Sequence, residues 1–389
     1  MRSSVPIAWG LALGPAVGLG LARFAYGLLL PPMRADLGWS FAQAGTLNTL
    51  NAAGYLAGAL ATGPLVRDRG RSFTFALGLV ATTLAVLGEG LTAAFAVQLL
   101  LRLVAGVGAA FSFIAGAGIV AGLPRREHGP GLLLNIYTAG GGVGIVVSGV
   151  VVQSALHSGG WREGWLGLGA LAALGSALAL AAVRRTGASG RAQPEARGRI
   201  GTLRLPAVGY FLFGCGYIAY VTFVVAYLGE AGLSATQVTV FWTLLGVCVL
   251  LGVPLWGRLL DRMRSGHCLA LITAVLCIGA ALPLLVHGLA GGLASAVVFG
   301  ASFLSLPAGM AHLARQRLPA PAWTSTIAQL TVAFGVGQCL GPVLAGVLAD
   351  RSGGPGLGLA LAAVVLGAAA VTYLIGDRAG GGVTGPGRR

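Results

Sequence analysis

The stretch RRTGASGRAQPEARGRIGTLR, residues 184–204, lies near the middle of a 389-residue chain that is otherwise overwhelmingly apolar. Its six arginines and one glutamate are interspersed with Gly, Pro and Ser, and almost nothing in it is available to bury. Such a segment cannot offset its chain entropy by burial, so it reads as a solvated linker. The sequence on one side of it reappears on the other. Gly38, Ser40, Gln43, Thr49, Leu50, Gly58, Gly63 and Leu65 recur as Gly232, Ser234, Gln237, Thr243, Leu244, Gly252, Gly257 and Leu259, every pair 194 positions apart. Eight matches at one offset indicate a duplicated half. The chain therefore divides into an N-terminal half (1–183), a linker (184–205) and a C-terminal half with a short basic tail (206–389).

Composition sets the class. The chain is 56% hydrophobic and only 9% charged, whereas about a quarter of a soluble domain is charged. A net charge of +15 invites a nucleic-acid reading, but its distribution argues against one. The arginines cluster between apolar runs of about 20 residues, the length that crosses a bilayer core. The expected partners are thus the lipid bilayer and a small molecule, with no nucleic acid. Five cysteines (Cys215, Cys248, Cys268, Cys277, Cys339) sit in or beside apolar runs without a CxxC or ligand cluster, which argues against a metal site or disulfide framework. No cofactor is expected. The N-terminal apolar run is too long for a signal peptide and reads as the first spanning helix.

Twelve apolar spans can be counted, six on each side of the linker: about 7–30, 43–65, 73–92, 94–121, 131–155, 163–183, 206–228, 236–258, 267–287, 291–313, 323–348 and 357–376. Continuous apolarity, without alternation, predicts helices rather than a barrel. The fold class expected is an all-α membrane protein of 12 transmembrane helices in two pseudo-symmetric six-helix halves. An even span count inserts both halves in the same orientation, related by an axis along the membrane normal. Orientation comes from the arginines, since the chain has no lysine. With both ends cytoplasmic, 20 arginines face inward and three (Arg34, Arg162, Arg351) face outward. That bias satisfies the positive-inside rule.

Two loops carry a repeated motif: GPLVRDRGR (Gly63 to Arg71) after helix 2 and GRLLDRMRS (Gly257 to Ser265) after helix 8. Both resemble the GxLxDRxGR loop signature of the major facilitator superfamily. In the second copy Asp261 and Arg262 match the pattern; in the first, Arg67 takes the Asp position and the acid falls one place late, at Asp68. The resemblance implies a gating role for Gly63, Asp68, Arg69, Gly70 and Arg71, and for Gly257, Asp261, Arg262 and Arg264. A tight glycine-permitted turn would let charged pairs lock helix ends there; the plain alternative is a solvated basic turn. In helix 4, RLVAGVGAA (Arg102 to Ala110) is similar to the family's RxxxGxGAA pattern. Helix 5 has GGGVGIVVSG (Gly140 to Gly149), similar to a facilitator antiporter motif but with Ile145 at the Pro position. Helix 11 has the Pro, in GQCLGPVLAG (Gly337 to Gly346). Close helix packing accounts equally for these glycines. The segment ARFAYGLLLPPMRADLGWSFAQAGTL resembles the YbfB/YjiJ-type branch, which implies a multi-pass carrier of the bacterial inner membrane. The same resemblance places helices 1, 4, 7 and 10 around a central cavity.

Ionisable residues inside a membrane are functional candidates by default. Arg23 in helix 1 and Arg102 in helix 4 fall at comparable depth in the outer half of the bilayer. Facing the cavity, two planar guanidiniums would suit a carboxylate or phosphate. Arg102 has a structural alternative, bonding to backbone carbonyls or Glu89, and Arg23 one of snorkelling outward. Tyr26, Asn48, Asn51 and, less directly, Asn135 add polar groups; the offset pairs Tyr217 with Arg23 and Tyr220 with Tyr26, and Trp242 lies nearby in sequence register. Those rings serve equally as packing. Glu89 is the sole coupling candidate among the acids, its alternative being a helix cap, and coupling through the substrate or proton-free exchange is preferred to it.

No nucleophile elbow, HExxH, phosphate loop or His–carboxylate pair occurs in a span, so an enzyme is not expected. The reading is a secondary active transporter working by alternating access as a monomer, its substrate a small organic anion. The alternative is a drug-like or amino-acid-like exporter running as a proton antiporter; a non-transporting membrane sensor is more remote. Replacing residues 184–204 by a Gly/Ser segment of equal length, with two arginines kept for topology, is expected to leave transport largely intact. Loss of transport in a variant that still inserts and folds would rule out a passive tether.

Overall fold

The computed structural model describes residues 4–123, 132–186, 203–263, 265–319 and 322–380. Most of the linker (187–202), Arg264 and the side chain of Asp261 lie outside the described residues. Every regular element described is helical. Among the described residues, eleven segments are long and apolar enough to cross a membrane. In chain order these are α1 (Ser4–Leu37), α3 (Arg71–Leu91), α4 (Phe95–Ala121), α5 (Leu132–Ser158), α6 (Trp161–Arg184) and α7 (Arg204–Glu230), followed by α8 (Ala235–Arg262), α9 (Ser265–Leu285), α10 (Gly288–Arg317), α11 (Trp323–Ser352) and α12 (Gly356–Gly380). The twelfth, α2 (Phe41–Arg69), has 29 residues and so is long enough, about 43 Å. Gln43, Asn48, Asn51 and the charges at its end dilute its hydropathy.

Local sequence sets the helix ends. Gly38 before α2 and Gly232 before α8 adopt positive φ (65° and 88°), a conformation open to glycine without a Cβ penalty. Two residues on, Ser40 and Ser234 each cap their helix: the hydroxyl accepts from the Gln43 or Gln237 N–H, and the glutamine side chain accepts from the serine N–H. Both capping boxes satisfy orphan donors reciprocally. The duplication in sequence is thus a duplication of helix-start chemistry.

The same offset governs packing. A methyl at Gly58 would fall on the Val107 carbonyl, and one at Gly252 on that of Ala301; a methyl at Gly106 would fall on the Asn51 carbonyl, and one at Gly300 on that of Leu245. Both of these contacts in the α2–α4 pair recur 194 residues later in the α8–α10 pair. Lipid supplies no hydrophobic drive between helices, so van der Waals contact at close backbone approach holds them together instead. The glycines of the helix 5 and helix 11 motifs work likewise. Gly140 abuts Ala12 of α1, and Gly337 and Gly341 abut Phe211 and Cys215 of α7.

The halves meet along two seams, α2 against α11 and α5 against α8. Gly45 faces the Pro342 carbonyl and Gly346 that of Phe41, while Gly246 meets Val146. At the end of the bundle away from the chain termini the seams carry polar locks. The Asp350 carboxylate of α11 accepts from the Phe41 and Ala42 N–H groups (2.7 and 2.9 Å) at the start of α2, where a negative charge meets the positive end of the helix dipole. Thr239 donates to Gln153 across the other seam (2.7 Å), and Arg34 lies 3.6 Å from Glu230.

The two loop motifs differ from expectation in where they turn. α2 runs straight through Gly63 and Pro64, and the reversal occurs at Gly70 (φ 87°). Gly257 sits inside α8, which ends in an extended Met263. A methyl at either Gly63 or Gly257 would meet nothing. Asp68, Arg69 and Arg262 are exposed, and Arg69 lies over the Phe73 ring one turn away. Arg71 lies against Gly118 of α4. Substituting Gly106→Val forces a side chain into the Asn51 backbone and is expected to cost roughly 1–3 kcal/mol of stability. Gly63→Ala, in open space, should leave the thermal midpoint in detergent unchanged; equal midpoints for both variants would contradict this packing.

Candidate transport site

Helix α1 is not regular where it carries its arginine. Pro15 ends an α-helical stretch (Ser4–Pro15), and a π-helical segment, Ala16–Phe24, comes next before the α geometry resumes at Tyr26. Proline has no N–H to continue the ladder, and π turns admit an extra residue that re-aims the side chains beyond it. The Ala25 N–H accordingly reaches back to the Gly20 carbonyl (3.1 Å). Arg23 is presented from this segment.

Arg102 belongs to a network inside the N-terminal half. It is fully buried, donates from Nη1 to the Ala22 carbonyl (2.8 Å) and pairs with Glu89 of α3 at 3.4 Å. Its guanidinium lies over the rings of Tyr26 (4.5 Å) and Trp165 (5.5 Å). The Tyr26 hydroxyl donates to the Ala44 carbonyl (2.8 Å), and the Asn51 amide donates to the Arg102 carbonyl (3.1 Å). Gln98 donates to the Glu89 and Thr92 carbonyls, closing the end of α3. Glu89 is thus buried as the partner of a cation.

Arg23 belongs to a second network, which crosses between halves. Nη2 donates to Oε1 of Gln338 on α11 (2.7 Å), and the Gln338 amide donates to the Tyr217 hydroxyl on α7 (2.8 Å). The guanidinium lies 5.1 Å from the Tyr55 ring centre. Arg23 is 3% exposed, and its Nε has no partner among the described residues. Nearby polar bridges also span the halves: Asn48 donates to Thr222 (2.6 Å) and Trp242 to Ser148 (3.1 Å).

The two arginines therefore meet α1 at one level, through Arg23 itself and the Ala22 carbonyl, yet enter different networks instead of sharing one pocket. Tyr217 joins Arg23, whereas Tyr220 turns into its own half to hydrogen-bond Ser295 and stack on Phe299. Asn135 is exposed near the start of α5 and stands apart from both networks. Sequence reasoning missed Gln338, Thr222 and Ser148. Gln338 had a signal: it is the one amide side chain inside the glycine motif of helix 11.

Beside Tyr217 stands a pile of rings. Tyr210, Phe213, Tyr217 and Phe334 lie within 15° of parallel with centroids 4.6–6.1 Å apart. Three of these are buried and Phe334 is half-buried. Such geometry suits offset stacking.

Breaking a buried ion pair strands a charge, typically at about 3–5 kcal/mol, while replacing both partners by apolar groups costs much less. Glu89→Met and Arg102→Met are each expected to lower the thermal midpoint sharply, and the double variant to recover more than half of the loss. Additive losses in the double variant would show that the pair does not hold this half together.

Comparison with known proteins fits this architecture. The family described as "Uncharacterised MFS-type transporter YbfB" matches residues 15–374. The chain is 24% identical to the inner membrane transport protein YdhP of Escherichia coli (strain K12), over 97% of each chain. It is 28% identical to a chloramphenicol resistance protein of Streptomyces lividans, over 84% of this chain and 85% of that one. Among solved structures, an inward-facing, occupied bacterial homolog of the human lysosomal transporter Spinster superposes with a TM-score of 0.72 at 19% identity, covering 97% of this chain and 98% of that one. A point mutant of the nucleoside transporter NupG superposes with a TM-score of 0.74 at 11% identity, covering 97% and 100%. The chain belongs to the YbfB-type branch of the major facilitator superfamily, and is a multi-pass membrane transporter, not an enzyme.

Proposed function

We propose that this transporter moves a small organic anion by alternating access of its two halves, with Arg23 as the group that recognises the anion. The observation that carries the reading is the company Arg23 keeps. Its guanidinium is buried against a neutral amide and the Tyr55 ring, with no carboxylate paired to it among the described residues, whereas Arg102 is compensated by Glu89. A buried charge without a counter-charge is costly, and an anionic cargo would relieve that cost. Arg23 and Gln338 also belong to different halves, so a ligand bound there bears on how the halves sit.

The polar locks at Asp350, Gln153 and Arg34 favour a state closed at the end away from the chain termini. With both termini cytoplasmic in a bacterial inner membrane, that state is inward-facing. Residues 1–183 and 206–389 rock as two bodies of a monomer, tethered through 184–205, and the segments Gly63–Arg71 and Gly257–Arg264 act as the inner gate. Glu89, committed to Arg102, stays structural, and any proton enters with the substrate.

A second reading, export of a drug-like or amino-acid-like molecule, is favoured by the ring pile and by the chloramphenicol resistance relative. A thermal-shift screen of purified protein against carboxylates, amino acids and cationic drugs separates the two. Carboxylates are expected to stabilise the wild type and to fail with Arg23→Gln; stabilisation by cations alone would discard the anion reading.

A further inference from the structure

We infer that the cargo is an aromatic monocarboxylate, whose carboxylate takes Arg23 from Gln338 while its ring lies against Phe334. This rests on the anion reading above and adds the chemistry of the rest of the molecule. Among the described residues, the two arginines within the spans are unequal: Glu89 answers Arg102, leaving one guanidinium for one negative charge. Gln338 Oε1 occupies the place on Nη2 that a carboxylate oxygen would take, and Nε stands unpartnered beside it. A planar fork with a free donor can donate to two carboxylate oxygens side by side. Gln338 is thus a neutral stand-in, held to Tyr217 by its own amide.

Phe334 precedes Gln338 by four residues on α11, so both lie on one face, about 6 Å apart along the axis. Behind Phe334 the stack is continuous, with Tyr210 at 4.6 Å and Phe213 and Tyr217 at 5.6 and 5.7 Å, each within 10° of parallel. Those three rings are buried, but Phe334 keeps part of its surface uncovered, as does Tyr55 on the opposite half beside the guanidinium. Two of the groups left partly open on this side, Phe334 and Tyr55, are aromatic. An aryl group extends the stack where a saturated ring of the same size gains burial alone.

Three probes isolate these terms: 3-phenylpropionate, 3-cyclohexylpropionate of matched shape, and the dicarboxylate glutarate, each titrated against the purified full-length protein by calorimetry. The phenyl acid is expected to bind about 3- to 10-fold tighter than the cyclohexyl acid, and glutarate more weakly than either. Phe334→Leu should erase the preference by weakening the phenyl acid alone. Gln338→Glu, which places a carboxylate on Arg23, should weaken both acids at least tenfold. Equal binding of the two monocarboxylates by the wild type overturns the inference, as does glutarate binding as tightly as the phenyl acid, equal loss of both in Phe334→Leu, or undiminished binding in Gln338→Glu. If no carboxylate binds the wild type, or if Arg23→Gln binds undiminished, the anion reading itself fails and this one with it.

Discussion

A guanidinium inside hydrocarbon has to find its acceptors within its own reach, and the centre of this protein is arranged around that constraint. Water cannot complete the shell, and the charge cannot be shed. Arg102 balances its charge with a carboxylate, a backbone carbonyl and two ring faces, all from its own half, although its Nε and Nη2 have no hydrogen-bond partner among the described residues. Arg23 has one amide from the other half and one ring. The first solution is self-contained and fixes four helices to one another. The second leaves a charge unbalanced at the boundary between the two bodies, where a transporter needs its affinity to depend on how they are placed.

That contrast is possible because the frame around it is rigid. Glycines bring α2 onto α4 and α8 onto α10 at backbone contact distance, so each half behaves as a packed unit. The seams use the same small residues but add polar locks at the end away from the chain termini. Asp350 is the strongest of these in kind, since its carboxylate answers two first-turn N–H groups of a helix in the other half. Its counterpart on the second seam, Gln153, is neutral. The duplicated architecture is therefore symmetric in packing and asymmetric in charge, which is how a repeat acquires distinct working faces.

The π-helical turn of α1 connects frame and site. Without the register change after Pro15, residues on the far side of the segment would point elsewhere on the helix. The cost of poorer hydrogen-bond geometry is accepted in the segment that presents Arg23.

Much of this was written in the chain. Apolar run length and the 194-residue offset determined twelve helices and two halves, because bilayer thickness and backbone hydrogen bonding leave few alternatives. The paired Ser–Gln caps were equally legible, since capping is local in sequence. The two arginines were visible as candidates, but not their division of labour. Whether Arg102 faces a cavity or Glu89 depends on how α3 and α4 rotate against each other, and helical periodicity does not settle that. The same holds for Gln338, hidden in a glycine motif, and for Asn135, polar yet turned outward. Gly63 and Gly257 misled because a glycine signals permission to turn, while Gly70, with its positive φ, is where the chain turns after α2. Sequence alone determined what must cross the membrane; only tertiary packing decided which buried charge is answered within its own half and which looks across to the other, because that choice is made by contacts 315 residues apart.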